Sequence, residues 1–433
     1  MRTLLLVLDG LGDKGIKDFN GKTPLQVAHT PNMDAIARAG CNGLYHATLQ
    51  GMAMPSEMAH FIIFGYDLDK FPGRGYIEAK GEGISCGRND VAVLGRIFHV
   101  EPRERDFILR NEKIDVDPET FRILSSTVSS YSSSGLSLRF HPTGGIGGIF
   151  VIQGEASAEI TDSNPIFEGR PIMAIKPLRS ASSPSLAEKT AQFLNNYSLW
   201  SHDILSQNPL NTHRSDHGLP PLNMVGLQRA GQWKEVPSFR DKWGMKALCI
   251  ASGTIYHGLC SHLGMDIHKT EDTGNCEKDL LGRLKSAYEA KDHDLVYVHT
   301  KAPDEAAHKR DPHLKRQVIE ALDRALGWAV KEILPDEDIL LVLTSDHSTA
   351  STGTMIHSGE TVPISIVGRY TRRDHVSSFN EIDCAMGGLG DVRGHEIMYM
   401  ILNLMDRGKL KGLMDSPEDQ PYSPGLYTSL GRH

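Results

Sequence analysis

Three uninterrupted apolar runs in this chain each end in residues that can hold a proton or a metal ion. TLLLVLD delivers Asp9, ILLVLTSDH delivers Asp346 and His347, and DLVYVHTKAPDEAAH leads into Asp304 and His308. Apolar runs without polar alternation read as strands covered on both faces, the pattern of a parallel sheet between helical layers. A fourth ligand-type residue, His357, stands just before the apolar run PISIVG. Functional crevices of open α/β sheets lie outside the carboxyl ends of the strands. Acids and imidazoles gathered at that edge point to a metal-dependent enzyme.

The rest of the chain fits an α/β alternation with an interruption. After the first strand comes a glycine-rich loop. Thr30-Pro31 then opens a helix over NMDAIARAG, with Pro31 in its first turn and Gly40 as its stop. Pro55 and Ser56 precede a helical or apolar run, EMAHFIIFG. From about 92 to 182 the texture changes to stretches poor in helix formers, SSTVSSYSSSGLS and TGGIGG, with short β-type runs GIFVIQG and PIMAIKPL. A helix is expected to restart near Ser185, where Ser185 and Glu188 have capping-box spacing.

The alternation resumes at KALCIAS and continues through KDLLGRLKSAYEAK, a strand at 294–299, a long helix at 312–333, strands at 339–344 and 363–368, and a final helix in HEIMYMILNLMDRG. The tail after 411 reads as an extended strap or as partly disordered. These features give three segments: 1–91 as the first part of a catalytic metal-binding domain, 92–182 as an inserted substrate or lid domain, and 183–433 as the second part of the catalytic domain. The expected fold is α/β, a three-layer α/β/α core with a mostly parallel sheet plus a smaller inserted α+β lid domain.

At 433 residues the chain has room for one large and one smaller domain. Its net charge of −8 lacks the basic excess of a general nucleic-acid binder. A few arginines in one pocket suffice for a small anionic substrate whatever the global sign. The six cysteines include no CxxC pair and read as reduced thiols of a cytoplasmic protein. No segment approaches the ~20 apolar residues of a membrane span. Neither a nucleic acid nor a membrane is an expected partner, and the oligomeric state is not legible.

Asp304 and His308 lie one helical turn apart, with Pro303 where a helix would begin, so both would share one face. Asp346 and His347 are adjacent, so an extended backbone would point them apart. One metal held by both needs an irregular turn, or two metals must share the cluster. Ser56 is the candidate nucleophile. A turn entering a helix brings it to the positive end of the dipole, which suits phosphate. A serine hydroxyl needs a base or a metal to become a good nucleophile. Two cations flanking Ser56 form a coherent arrangement for phosphoryl transfer. Asp9, Asp346 and His347 would hold one with Ser56, and Asp304, His308 and His357 the other. Mixed oxygen and nitrogen ligation fits Mn²⁺ or Zn²⁺ better than Ca²⁺.

The segments LVLDGLGD, KTPLQVAHTPNMDAIARAG, PSEMAHFIIFGYD, GRGYIEAKGEGI, VHTKAPDEAAH and TSDHSTASTGTMIH resemble the alkaline phosphatase superfamily. They are more closely similar to the archaeal type of cofactor-independent phosphoglycerate mutase. The resemblance implies an alkaline-phosphatase-like core and a phosphorylated serine at Ser56. It implies metal ligands at Asp9, Ser56, Asp304, His308, Asp346, His347 and His357. It also implies transfer of phosphate to serine and then to the other hydroxyl of the retained glycerate. Counterparts of the family's substrate-gripping arginines fall on Arg74, Arg214 and Arg229, and a lid acid that acts as base falls on Asp162.

The chain departs from the family pattern at Lys301, at Ser56-Glu57 and in the GMAM approach to the serine. These changes bear on the substrate more than on the chemistry, and Lys301 is a further candidate anion contact. The alternative within enzymes is a related hydrolase or transferase acting on another phosphorylated or phosphonylated small metabolite. A non-catalytic binding protein that kept the fold would lack a reason to keep all seven ligand-type residues.

Overall fold

The computed structural model describes residues 1–425 and 427–430. In chain order its strands are β1 (Arg2–Leu8), β2 (Cys41–His46), β3 (Val91–Arg103), β4 (Asp106–Asn111), β5 (Ser130–Ser133), β6 (Leu136–Gly144), β7 (Gly147–Gln153), β8 (Met224–Gln232), β9 (Ala247–Ala251), β10 (Asp266–Lys269), β11 (Leu295–Thr300), β12 (Ile339–Thr344), β13 (Val362–Val367) and β14 (Gly390–Arg393). Two compact units result. One comprises Met1–Phe71 with Val236–His433, the other Pro72–Glu235.

The first unit is built on an eight-stranded sheet ordered β10-β9-β11-β1-β12-β13-β2-β14. Its central strands β9, β11, β1 and β12 are mutually parallel, as their unbroken apolar runs require, and β13 runs against both its neighbours. On one face Leu4, Leu6, Leu8, Val296, Val298, Leu341 and Leu343 pack with residues of helices Pro31–Ala39, Cys276–Glu289 and Pro312–Glu332, among them Ile36, Leu284, Ile319 and Leu326. On the other face Tyr297 meets Phe64 edge-on at 5.0 Å, next to helix Ser56–Ile63. That helix packs with helices Thr254–His262 and Glu396–Leu404. The α/β/α layering expected from the sequence is present.

Register sets the level of the loops. Leu8 pairs with Thr300 across β1 and β11, and Val7 pairs with Thr344 across β1 and β12. The residues that follow, Asp9, Lys301 and Ser345, therefore leave the sheet side by side. Because β13 is reversed, its beginning lies at the edge where the parallel strands end. An isolated bridge from Ser348 to Ser358, with Ser358 N–H donating to the Ser348 carbonyl at 3.0 Å, fastens the segment before β13 to the segment after β12.

The second unit holds an antiparallel sheet, β4-β3-β7-β6-β5, with β8 pairing β3. It is wider than the expected 92–182 insert for two reasons. β8 closes the sheet against β3, and helix Pro184–Ser206 lays Ala187, Ala191, Phe193, Leu194 and Tyr197 into the same core as Val91, Phe150 and Leu227. Helix Arg74–Gly81 packs on β3 and β8 from the other end of the segment.

Helix Pro184–Ser206 starts earlier than Ser185: Ser183 is the N-cap and Pro184 takes the first helical position, which its fixed φ favours. The serine-rich stretch begins in the last turn of a helix, Pro118–Thr127, whose N-cap Asp117 accepts from Thr120 N–H. The cysteines carry free thiols. Among the described residues no helix is long and apolar enough to cross a membrane. Of the tail after 411, residues 426 and 431–433 lie outside the described residues. Tyr422 from this segment is buried and donates to the Asp241 carbonyl.

Candidate metal centre

Asp9 follows β1 directly and is fully buried. Gly10 turns the chain away with φ +67°, a conformation that strains any side chain, and an added Cβ there would meet Asp304 Cβ and Thr349 Oγ1, each at 2.7 Å. This close approach lets the Gly10 N–H reach Asp346 Oδ1 at 3.1 Å and the Asp304 N–H reach the Asp9 carbonyl, also at 3.1 Å. The loops after β1, β11 and β12 are thus bonded to one another, backbone to backbone at Asp304–Asp9 and backbone to side chain at Gly10–Asp346.

Helix Ala302–His308 places Asp304 and His308 on one face, with His308 Nε2 3.3 Å from Asp304 Oδ2. Thr349 donates to Asp304 Oδ1 at 2.7 Å and lies 3.1 Å from His347 Nδ1. His347 Nε2 is 3.2 Å from Asp346 Oδ2 and 3.6 Å from Asp9 Oδ1. The His357 ring stacks on His347 at 3.9 Å, its Nδ1 meets the Met54 carbonyl at 2.6 Å, and its Nε2 lies 3.6 Å from Asp304 Oδ1.

Ser56 opens helix Ser56–Ile63, with Pro55, not the serine, in the capping position. Its Oγ lies 3.0 Å from His347 Nε2 and 3.4 Å from Lys301 Nζ. The seven residues expected from sequence to bind metal therefore converge. Among the described residues, Asp9, Asp346 and His347 form one group with ligand atoms mutually within 4.8 Å, and Asp304, His347 and His357 form another. His308 stands beside Asp304 but outside the second group.

The electrostatics call for a cation. Burial pushes every carboxyl here upward, but at Asp9 this is outweighed by Lys301, His299 and His347, which hold it well below the usual carboxylate range. Asp346 goes the other way: burial and the neighbouring Asp9 charge push it up to about 7. Asp304 is lowered, its burial overcome chiefly by the His308 contact and by Lys301. Burial lowers His347, and it lowers His357 to about 4, so both imidazoles stay neutral and can ligate. Asp9 Oδ1 and Asp346 Oδ2 are buried without any hydrogen-bond donor. Buried carboxylate oxygens that face neutral imidazoles and lack donors suit a divalent cation.

Lys301 Nζ stands 2.8 Å from Asp304 Oδ2 and 3.5 Å from Asp9 Oδ2, and these carboxylates raise its pKa against the effect of burial. Three residues that the sequence reading missed complete the surroundings. His299 Nε2 lies 3.0 Å from Asp9 Oδ2, the Tyr256 hydroxyl donates to the same oxygen at 2.5 Å, and His60 Nδ1 donates to the Ser56 carbonyl at 2.7 Å. His299 carried one usable signal, an imidazole inside the apolar run LVYVHT. His60 sits one turn after Ser56. Nothing in the sequence marked Tyr256.

The expected substrate residues other than Lys301 fall in the second unit. Asp162 Oδ1 accepts the Arg229 N–H at 2.6 Å, and Arg229 holds φ +56° where the β3–β8 register shifts. Arg214 is buried and donates to the carbonyls of Pro220 and Asp115 at 3.0 and 3.2 Å, bracing that unit. Arg74 Nε donates to Glu78 one helical turn on, at 2.5 Å.

A three-layer sheet with a carboxylate–imidazole cluster at its carboxyl edge defines a class, the metal-dependent α/β enzymes. The family described as the metalloenzyme superfamily matches residues 1–404. A Methanocaldococcus jannaschii protein named 2,3-bisphosphoglycerate-independent phosphoglycerate mutase 2 is 37% identical over 98% of both chains. The Thermococcus kodakarensis 2,3-bisphosphoglycerate-independent phosphoglycerate mutase is 33% identical over 94% of this chain and 98% of its own. Among solved structures, a Pyrococcus horikoshii protein superposes with a TM-score of 0.78 at 29% identity, over 95% of this chain and 99% of its own. The cofactor-independent phosphoglycerate mutase of Thermoplasma acidophilum gives 0.64 at 28% identity, over 93% and 99%. This chain belongs to the metalloenzyme superfamily, within the family of 2,3-bisphosphoglycerate-independent phosphoglycerate mutases.

Proposed function

We propose that this protein interconverts 2- and 3-phosphoglycerate in the cytoplasm by phosphoryl transfer through a phosphoserine at Ser56. The observation that carries the reading is the Ser56 hydroxyl, 3.0 Å from a neutral His347 at a helix start and beside buried carboxylate oxygens without donors. The names of the relatives point to the same substrate.

Asp9, Ser56, Asp346 and His347 would hold one divalent cation, and Asp304, His308 and His357 a second, Mn²⁺ or Zn²⁺ in each case. When bound, these would lower the hydroxyl pKa and neutralise phosphate charge. Ser56 Oγ attacks phosphorus, forming the serine ester as the bond from phosphorus to the glycerate oxygen breaks. The proton given up by the Ser56 hydroxyl balances the one taken up by the released glycerate oxygen. The other glycerate hydroxyl then loses its proton to a base, Asp162, attacks the phosphoserine and restores the Ser56 hydroxyl. Lys301, Arg74, Arg214 and Arg229 are the proposed contacts to the anionic groups, and the segment 92–182 is the proposed lid. Retaining the glycerate between the two transfers makes the protein a mutase and not a phosphatase.

The test is conversion of 3-phosphoglycerate by the metal-stripped chain after loading with Mn²⁺ or Zn²⁺. Formation of 2-phosphoglycerate without free phosphate supports the reading. Absence of that conversion alongside cleavage of an aryl phosphate would instead favour a related hydrolase or transferase acting on another phosphorylated or phosphonylated small metabolite.

A further inference from the structure

The two oxygens of Asp9 meet different surroundings. Oδ2 accepts the Tyr256 hydroxyl at 2.5 Å and lies 3.0 Å from His299 Nε2. Oδ1 is buried, has no donor, and lies 3.6 Å from His347 Nε2. A carboxylate turned by half a rotation would exchange these roles, so something must hold it.

The fold supplies that hold from two neighbouring strands. β9 and β11 are adjacent and parallel, and helix Thr254–His262 follows β9. Tyr256 lies in the first turn of that helix, and His299 is the next-to-last residue of β11. The Tyr256 and His299 rings lie 3.7 Å apart, and both residues are buried. His60 abuts both rings edge-on, at 5.0 and 5.2 Å, while its Nδ1 is fixed on the Ser56 carbonyl. A phenol packed against imidazoles on two sides has little freedom to swing, and a phenol donating to a carboxylate makes a strong, short hydrogen bond.

We propose that Tyr256 and His299 are positioning residues for Asp9: by donating jointly to Oδ2 they turn Oδ1 toward Asp346 and His347, where it can share a cation. The inference rests on the metal-centre reading above. Outer partners of this kind fix the orientation and basicity of a ligand, and losing one typically weakens metal affinity by about 10–100-fold. Tyr256→Phe removes a single oxygen and keeps the ring packing.

The experiment is a Mn²⁺ titration of the metal-stripped full chain, followed by the paramagnetic resonance of the free ion, with the melting temperature of each metal-free variant measured alongside. Tyr256→Phe should weaken binding at one of two sites by about 10–100-fold, leave the other unchanged and barely move the metal-free melting temperature. His299→Gln, which keeps an N–H donor, should stay closer to the parent than His299→Leu, and this pair carries the test if Tyr256→Phe does not fold. Tyr256→Phe titrating like the parent would overturn the positioning role alone. A parent chain that binds no Mn²⁺ would overturn the metal-centre reading together with it.

Discussion

The two units of this protein use their charged side chains in opposite ways. In the first, Asp9 and Asp346 are buried and each keeps an oxygen without a hydrogen-bond donor, while the Lys301 ammonium pairs with Asp304 at 2.8 Å. In the second, Asp162 is bonded to the Arg229 backbone, Arg214 to two carbonyls and Arg74 to Glu78. The first unit stores unsatisfied negative charge at a sheet edge where register sets every position. The second sets Arg74 and Arg214 on helices and Arg229 on β8, in a left-handed backbone conformation. Unsatisfied buried acceptors mark a place suited to a cation, whereas Arg214 is spent on bracing its own unit.

This contrast can be broken by experiment. The largest effect is expected at the nucleophile. Ser56→Ala should lower kcat by roughly 10⁴-fold or more while the melting temperature and Mn²⁺ stoichiometry stay near the parent's. Near-native turnover would remove Ser56 from the mechanism. His347→Ala comes next, because His347 contacts Ser56 and belongs to both ligand groups. Its loss of metal affinity, read by calorimetry, should exceed the roughly 10–100-fold typical of an outer partner.

Asp162→Asn is the sharpening case in the other unit. The amide oxygen can still accept the Arg229 N–H, so urea unfolding should shift by less than about 1 kcal/mol. Turnover should nonetheless fall by about 10²-fold through loss of the base, with Mn²⁺ binding unchanged. Weakened Mn²⁺ binding in this variant would dissolve the distinction between the units. Smallest is Gly10→Ala, whose Cβ would crowd Asp304 and Thr349 at a positive φ. It should cost about 1–3 kcal/mol in urea unfolding, and no cost at all would mean that the close approach of the loops is dispensable.

Sequence and structure agree best where burial on both faces leaves little choice. The strand expected at 339–344 is β12 to the residue, and the residue pairs at the ends of β11 and β12 lie where their apolar runs put them. Asp304 and His308 share a helical face because a one-turn spacing allows nothing else. His357 was legible as a ligand-type residue but not as a neighbour of His347, since it precedes its strand. Only the reversal of β13, a long-range pairing, brings it to the same edge. Tyr256 was invisible because its contact with Asp9 depends on β9 lying beside β11. The second unit reaches beyond 92–182 because β8, far along the chain, pairs with β3, and helix Arg74–Gly81 packs on both strands.

The central claim is that phosphate passes through Ser56 with metal bound. It is tested most directly by quenching the Mn²⁺-loaded protein in acid during turnover of 3-phosphoglycerate and mapping phosphate by tandem mass spectrometry. Phosphate is expected on the peptide containing Ser56, absent after metal chelation and absent in Ser56→Ala. Sustained 2-phosphoglycerate formation with that peptide unmodified, or with phosphate on another residue, would contradict it.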